Sequence, residues 1–298
     1  MTSNNFEAVA LNESGSQLIV GPVLPPELER HIFELAASQF PDIAPALALV
    51  ARRVQHWVEP LMYKKLGGMG TAFRPPIYEL ISRKMVKQPQ FDKATANACH
   101  VLLIRVQSSL AVEILQGCRH VSHLFLSFED IESEDQERLL TLIHDLAVER
   151  LFCDALKLTS PLCVTEAEFD HTYLVNLTHL NISSLPLRSR NWSKWKNLAL
   201  LPRLTHLALQ ASTLDLAEQI LKECKKIWLL ILFYSFEFEH DGEYYSAFRT
   251  PDEGIMCDRR IVQMPDMDTM DWIDDWKKGD TDEEDFWRLG EQLQRREA

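Results

Sequence analysis

Residues 177–209 read LTHLNISSLPLRSRNWSKWKNLALLPRLTHLAL, and the figure repeated at the two ends of this stretch, L-T-H-L-x-(I/L), decides how the chain folds. Apolar residues that alternate, as Leu180 and Ile182 or Leu207 and Leu209 do, are the period-two signature of a strand. The figure returns at Val121-Ser-His-Leu124-Phe-Leu126 and, more loosely, at Val101-Leu-Leu-Ile104 and Ile227-Trp-Leu-Leu230-Ile-Leu232. Arg150-Leu151-Phe152 fills a gap of double length, so that strand starts recur about every 20 to 30 residues. Helical signals lie between them. Ser133-x-x-Gln136 forms a capping box ahead of Leu139, Leu140, Ile143 and Leu146, and Thr165-x-x-Glu168 forms another. An I-L-x-x-C ending precedes a strand at Ile114–Cys118 and again at Ile220–Cys224. Strand, helix, strand in this order predicts an α/β fold with a mostly parallel sheet, each repeat packed on its neighbours as an irregular solenoid.

Ahead of the repeat, residues 24–63 read LPPELERHIFELAASQFPDIAPALALVARRVQHWVEPLMY. Leu28, Ile32, Leu35 and Ala36 recur at helical spacing opposite Glu29 and Arg30, behind a start at Pro25-Pro26. A second apolar set, Leu47, Val50 and Val54, follows the Pro41 to Pro45 stretch, and Pro60 opens or bends a third piece. Short helices of this kind bury little alone.

This region resembles the F-box, and in detail the F-box-like proteins of mushroom-forming fungi. Leu24, Pro25 and Glu27 stand where the family has Leu-Pro-x-Glu, and Ile32-Phe33 where it has Ile-Phe. Residues 47–53, LALVARR, match its L-x-L-V-C-R-R, with Ala51 departing from the usual Cys or Ser; Trp57, Pro60, Leu61 and Tyr63 fit the fungal version. The resemblance implies a helical module that binds the adaptor subunit of a cullin-RING ubiquitin ligase, through Leu24, Pro25, Leu28, Ile32, Leu47 and Val50. The repeat in turn resembles the degenerate leucine-rich repeats of F-box proteins, although Ser127, Ser183 and Gln210 stand where a regular Asn or Cys is usual. That resemblance implies a client protein held on the strand-lined face.

The chain accordingly divides into a flexible leader over 1–22, the F-box-like helices over 23–66, a connector over 67–100, the repeat domain over 101–265 and an acidic, Trp-containing segment over 266–298. The connector holds the GGMG cluster at Gly67–Gly70, Pro75-Pro76 and a helical pattern from Ile77 to Val86. Asp266 to Asp285 holds ten carboxylates against Lys277 and Lys278, yet Trp272, Ile273, Trp276, Phe286 and Trp287 are interleaved with them. Aromatics are scarce in solvating tails, so this segment is expected to dock on the end of the repeat array and cover its sheet edge.

A formal charge of −13 and the lack of basic runs argue against a nucleic-acid partner. Six scattered cysteines without a C-x-x-C pair suggest neither a disulfide framework nor a zinc knuckle, and reduced thiols are the default. The start lacks the basic and apolar blocks of a secretory signal, and the run from Ile227 to Phe236 is too short to span a bilayer, which leaves cytoplasm or nucleus as the expected location. His123, His179 and His206 share a register in the strand figure and would form a ladder, but no carboxylate or cysteine recurs beside them to complete a metal set. No G-x-S-x-G elbow, P-loop or H-E-x-x-H is present, so neither a catalytic residue nor a cofactor is expected. The expected function is a non-enzymatic substrate receptor; a free-standing repeat scaffold, its N-terminal helices serving only as a cap, is the other reading.

Overall fold

A computed structural model describes residues 9–11, 17–19, 24–67, 89–128, 131–154, 171–183, 196–210, 214–234, 238–240, 243–245, 258–267, 269–278 and 284–296. The chain forms two units, Met1–Lys64 and Lys65–Ala298. In the first, β1 (Val9–Leu11) and β2 (Gln17–Ile19) pair antiparallel, so the expected leader contains a small hairpin. Helix α1 (Pro26–Gln39) starts on proline, whose missing N–H would have been unpaired in a first turn anyway. Phe40 N–H closes its last turn on Ala36, and the 3-10 turn Pro41–Ile43 leads into α2 (Ala44–Ala48). Pro60 lies inside α3 (Arg52–Met62), near its end, and opens no further helix. Ala37, Ala44, Val54 and Val58 form the core of this unit, with Phe33, Leu47, Trp57 and Leu61 packed against it. Arg53 grips Glu29 through Nη2 at 2.7 Å and Nε at 3.1 Å, pinning α3 to α1; in water such a pair contributes under about 1 kcal/mol.

The second unit begins with β3 (Lys65–Gly67), a strand too short and too glycine-rich to be read from its sequence. After it come α4 (Pro89–Asn97), β4 (His100–Val106), α5 (Ser108–Gly117), β5 (His123–Phe128), α6 (Ser133–Asp145) and β6 (Arg150–Asp154). Then follow β7 (His179–Ser183), β8 (His206–Gln210), α7 (Leu214–Glu223) and β9 (Leu229–Tyr234). A hairpin of β10 (Phe238–His240) and β11 (Glu243–Tyr245) precedes β12 (Ile261–Pro265), α8 (Thr269–Lys278) and α9 (Phe286–Arg296). Every copy of the leucine figure becomes a strand, and all join one parallel sheet of eight in the order β3-β4-β5-β6-β7-β8-β9-β12. Strand order follows chain order without reversal.

One face of the sheet carries Leu124 and Leu126, Leu180 and Ile182, Leu207 and Leu209, and Leu230 and Leu232, all buried. The repeated I-L-x-x-C has a packing cause. Ile114 and Leu115 in α5, and Ile220 and Leu221 in α7, are buried, and Cys118 and Cys224 close the last turns beneath them. Helix α6 forms where the capping box places it, but its N-cap, Glu132, closes the first turn with no side chain. Ser108 Oγ at the start of α5 instead accepts the Glu132 N–H at 3.3 Å and donates to Asp135 at 2.7 Å. The Thr165 box and the Ile77–Val86 pattern lie outside the described residues.

The opposite face runs Leu102, Phe125, Phe152, Asn181, Ala208, Ile231 and Val262 from strand to strand in register. Here the acidic segment departs from expectation. It caps no edge: β12 extends the sheet past β9, and α8 and α9 lie across this face. Trp272 packs edge-on to Phe152 and Phe233 at ring distances of 5.1 and 4.7 Å. Gly290 lets α9 settle against Ile231, since a Cβ there would come within 2.8 Å of its Cδ1. Buried Trp272, Ile273, Phe286 and Trp287 together stabilise this layer by on the order of 10 kcal/mol. The face expected to grip a client is therefore filled by the chain itself, because an amphipathic aromatic stripe further along the sequence covers it better than water does.

Candidate functional site

Within the first unit, Leu24, Leu28 and Ile32 recur four residues apart, so they share one face leading into and along α1, and each is about half exposed: 50%, 53% and 50%. Pro25 is exposed beside them, and Leu35 extends the stripe. Val50 is also exposed, at 62%. Leu47, by contrast, is half-buried against the three-helix core and does not belong to the exposed set. The reason is a break in the helix. Helical spacing would place Leu47, Val50 and Val54 on one face, but α2 stops at Ala48 and α3 starts at Arg52, so Val54 turns into the core and Val50 into solvent. The same break leaves Leu49 at 87% exposure, a residue that the periodic reading passes over along with Phe40 and Ile43. Eight of the eleven exposed large apolar side chains among the described residues fall between Leu24 and Val50. Apolar exposure this concentrated is what a docking surface presents before its partner arrives.

The second unit holds a polar row on the sheet face beneath α8 and α9. His100, His123, Arg150, His179 and His206 occupy one register across β4 to β8. Two imidazole pairs stack, His100 on His123 at 3.9 Å and His179 on His206 at 4.1 Å. The Ser/Thr-His figure has a local cause. Ser122, Thr178 and Thr205 each donate their hydroxyl to a main-chain carbonyl of the preceding repeat, at 3.3, 3.0 and 3.3 Å. Each also meets the Nδ1 of the following histidine at 2.9, 2.9 and 2.8 Å. With the hydroxyl proton already committed, Nδ1 must be the donor, and a neutral ring keeps Nε2 as an acceptor. Burial pushes His179 down to about 2, helped by neighbouring His206, Arg150 and His123. His206 is also lowered by burial, against the pull of Glu291 at 3.4 Å.

Carboxylates reach the row from the helical layer, where the strand figure gave no hint of them. Asp285 Oδ2 accepts from Arg150 at 3.2 Å and its Oδ1 from the Arg288 N–H at 2.8 Å. Asp275 Oδ1 accepts the Phe286 N–H at 2.9 Å, and burial together with Asp285 pushes this carboxyl up to about 7. Trp276 covers His100, and Trp287 covers His179 and His206 edge-on. Among the described residues no three His, Cys, Asp or Glu side chains converge as metal ligands would. The thiols of Cys118 and Cys224 are pushed up to about 12 by burial, which suits packing and not nucleophilic attack. No helix among the described residues is long and apolar enough to cross a membrane. No family model, curated protein or solved structure matches the chain.

Proposed function

We propose that the chain is a non-enzymatic substrate receptor of the F-box type, joining a client protein to a cullin-RING ubiquitin ligase in the cytoplasm or nucleus. The carrying observation is the exposed stripe of Leu24, Leu28, Ile32 and Val50 on a helical unit that also bears the Leu-Pro-x-Glu and LALVARR figures. Those residues lie outside the first unit's own core, as docking requires. A parallel sheet whose strands follow chain order supports the leucine-rich-repeat-like reading of the second unit. With the helix-covered face closed, client contact falls to the outer surface of the repeat domain. The receptor itself performs no bond chemistry and needs no cofactor. It raises the local concentration of client beside a ligase carried elsewhere in the assembly.

Central apolar anchors dominate such interfaces, each contributing about 2 kcal/mol or more. Replacing Leu28 and Ile32 by Asp in the full chain is expected to weaken adaptor binding by on the order of a hundred-fold or more, measured by titration with purified adaptor. A wild-type chain that does not bind the adaptor, or a double variant that binds it equally well, removes the reading.

A further inference from the structure

Between β5, β6 and β7 on one side and α8 and α9 on the other lies a cavity of about 50 Å³. Size limits its occupant. A water needs roughly 10–15 Å³ on this scale and benzene occupies a cavity of about 150 Å³, so the space suits a group of a few heavy atoms. Its chemistry is more telling. Asn181 lines it, is 2% exposed, and has no hydrogen-bond partner for either amide atom. An unanswered buried polar atom costs about 1–3 kcal/mol, which an occupant would recover. Its polar lining holds both acceptors and donors, the N–H groups of Asn181 Nδ2 among them. Asn181 contributes Oδ1, His179 has its proton committed on Nδ1, and the carboxyls of Asp275 and Asp285 also line the space. Arg150, the one cation in the lining, already donates to Asp285. Phe125, Phe152, Trp276 and Trp287 supply aromatic walls.

We infer that this cavity is a binding site for a primary ammonium group, either a small free amine or the end of a lysine side chain. An ammonium offers three N–H donors and no acceptor, the complement of Asn181 Oδ1, the His179 ring and the Asp275 carboxyl. The N–H groups of Asn181 Nδ2 and Trp272 Nε1, buried and unanswered, require an acceptor, which a water accompanying the ammonium supplies. The charged and titratable groups around Asp275 are Asp285 and Lys278 in the helical layer and His123, Arg150 and His179 on the strands. Since burial and Asp285 hold the Asp275 carboxyl near 7, ammonium binding competes with its proton and weakens as pH falls from 8 to 6. The inference stands apart from the receptor reading, because the adaptor test reads the first unit and this one the second.

The test titrates the full chain with methylammonium chloride against sodium chloride of equal ionic strength, following tryptophan fluorescence, heat of binding and melting temperature. Saturable binding is expected, weakened about ten-fold or more by Asp275→Asn and by Asn181→Leu, and weaker at pH 6 than at pH 8. Tetramethylammonium, bulkier and without N–H donors, is expected to give no signal. Nα-acetyl-lysine amide binding more tightly than methylammonium identifies a lysine side chain as the source; weaker binding identifies a free amine. Identical responses to methylammonium and sodium, or binding unchanged in both variants, overturn the site and leave a cavity that holds water alone.

Discussion

Asp275 couples solution pH to the attachment of the C-terminal helices. Its folded value near 7 lies above the ordinary carboxyl value, so the folded chain binds the extra proton and this contribution is lost as pH rises toward and through 7. His179 works in the other direction: held down near 2, it favours the folded chain above the ordinary imidazole value and opposes it as pH falls. Between pH 6 and 8 the two effects oppose each other, because an unfolded histidine loses its proton around 6.5 while the buried His179 is already neutral, and burial lowers His206 as well. The melting temperature of the wild-type chain relative to Asp275→Asn is therefore expected to fall from pH 6 to pH 8 by a few degrees, corresponding to about 1–2 kcal/mol, the histidines being common to both chains. A variant that melts with the wild-type pH profile takes Asp275 out of this role. Gly67 gives a residue-scale test of the sheet itself. A Cβ there would lie 2.6 Å from Leu102 Cβ and 3.1 Å from its carbonyl oxygen. Gly67→Ala is expected to cost roughly 1–3 kcal/mol in denaturant unfolding, through separation of β3 from β4.

At the scale of elements, α9 is a core helix with a charged outer side. Trp287→Ala should destabilise the second unit by about 3–5 kcal/mol in urea unfolding, since the ring packs on His179, His206 and Phe286. Removing residues 266–298 would bare the row from Leu102 to Ile231 and is expected to give insoluble protein; a soluble truncation that still unfolds cooperatively would refute the packing described. The strands were legible because a two-residue alternation recurring with its own Ser/Thr-His lead-in is a local signal, and the histidine register followed from it. Arg150 was legible only as a strand start, since nothing local reveals that its partner is Asp285. The destination of α8 and α9 was hidden for the same reason: the stripe of Trp272, Trp276 and Trp287 announces burial but not against which surface. In the N-terminal helices, the periodic reading placed Leu28, Ile32 and Leu35 on one face, with Leu24 added by the family resemblance, but misplaced Leu47, because the break after Ala48 resets the helical phase.

For the whole molecule, the division at Lys64 separates two kinds of apolar residue, those buried to hold the sheet and those left outside near the N-terminus. The Leu28→Asp, Ile32→Asp chain is accordingly expected to keep the unfolding transition of the second unit, measured by scanning calorimetry, while losing adaptor affinity; a shift of that transition would mean the stripe is structural. The sheet also implies an order of manufacture. Each strand pairs with the one before it, so a ribosome can extend the sheet as it translates, but Arg150 meets Asp285 only after 135 further residues. At about 5–20 residues per second that is a wait of roughly 7 to 27 seconds, with phenylalanines and histidines uncovered on the growing sheet. Translation ending early within α8 would make the interval permanent. Such chains are expected to keep the aromatic face exposed and to be held by chaperones that bind it.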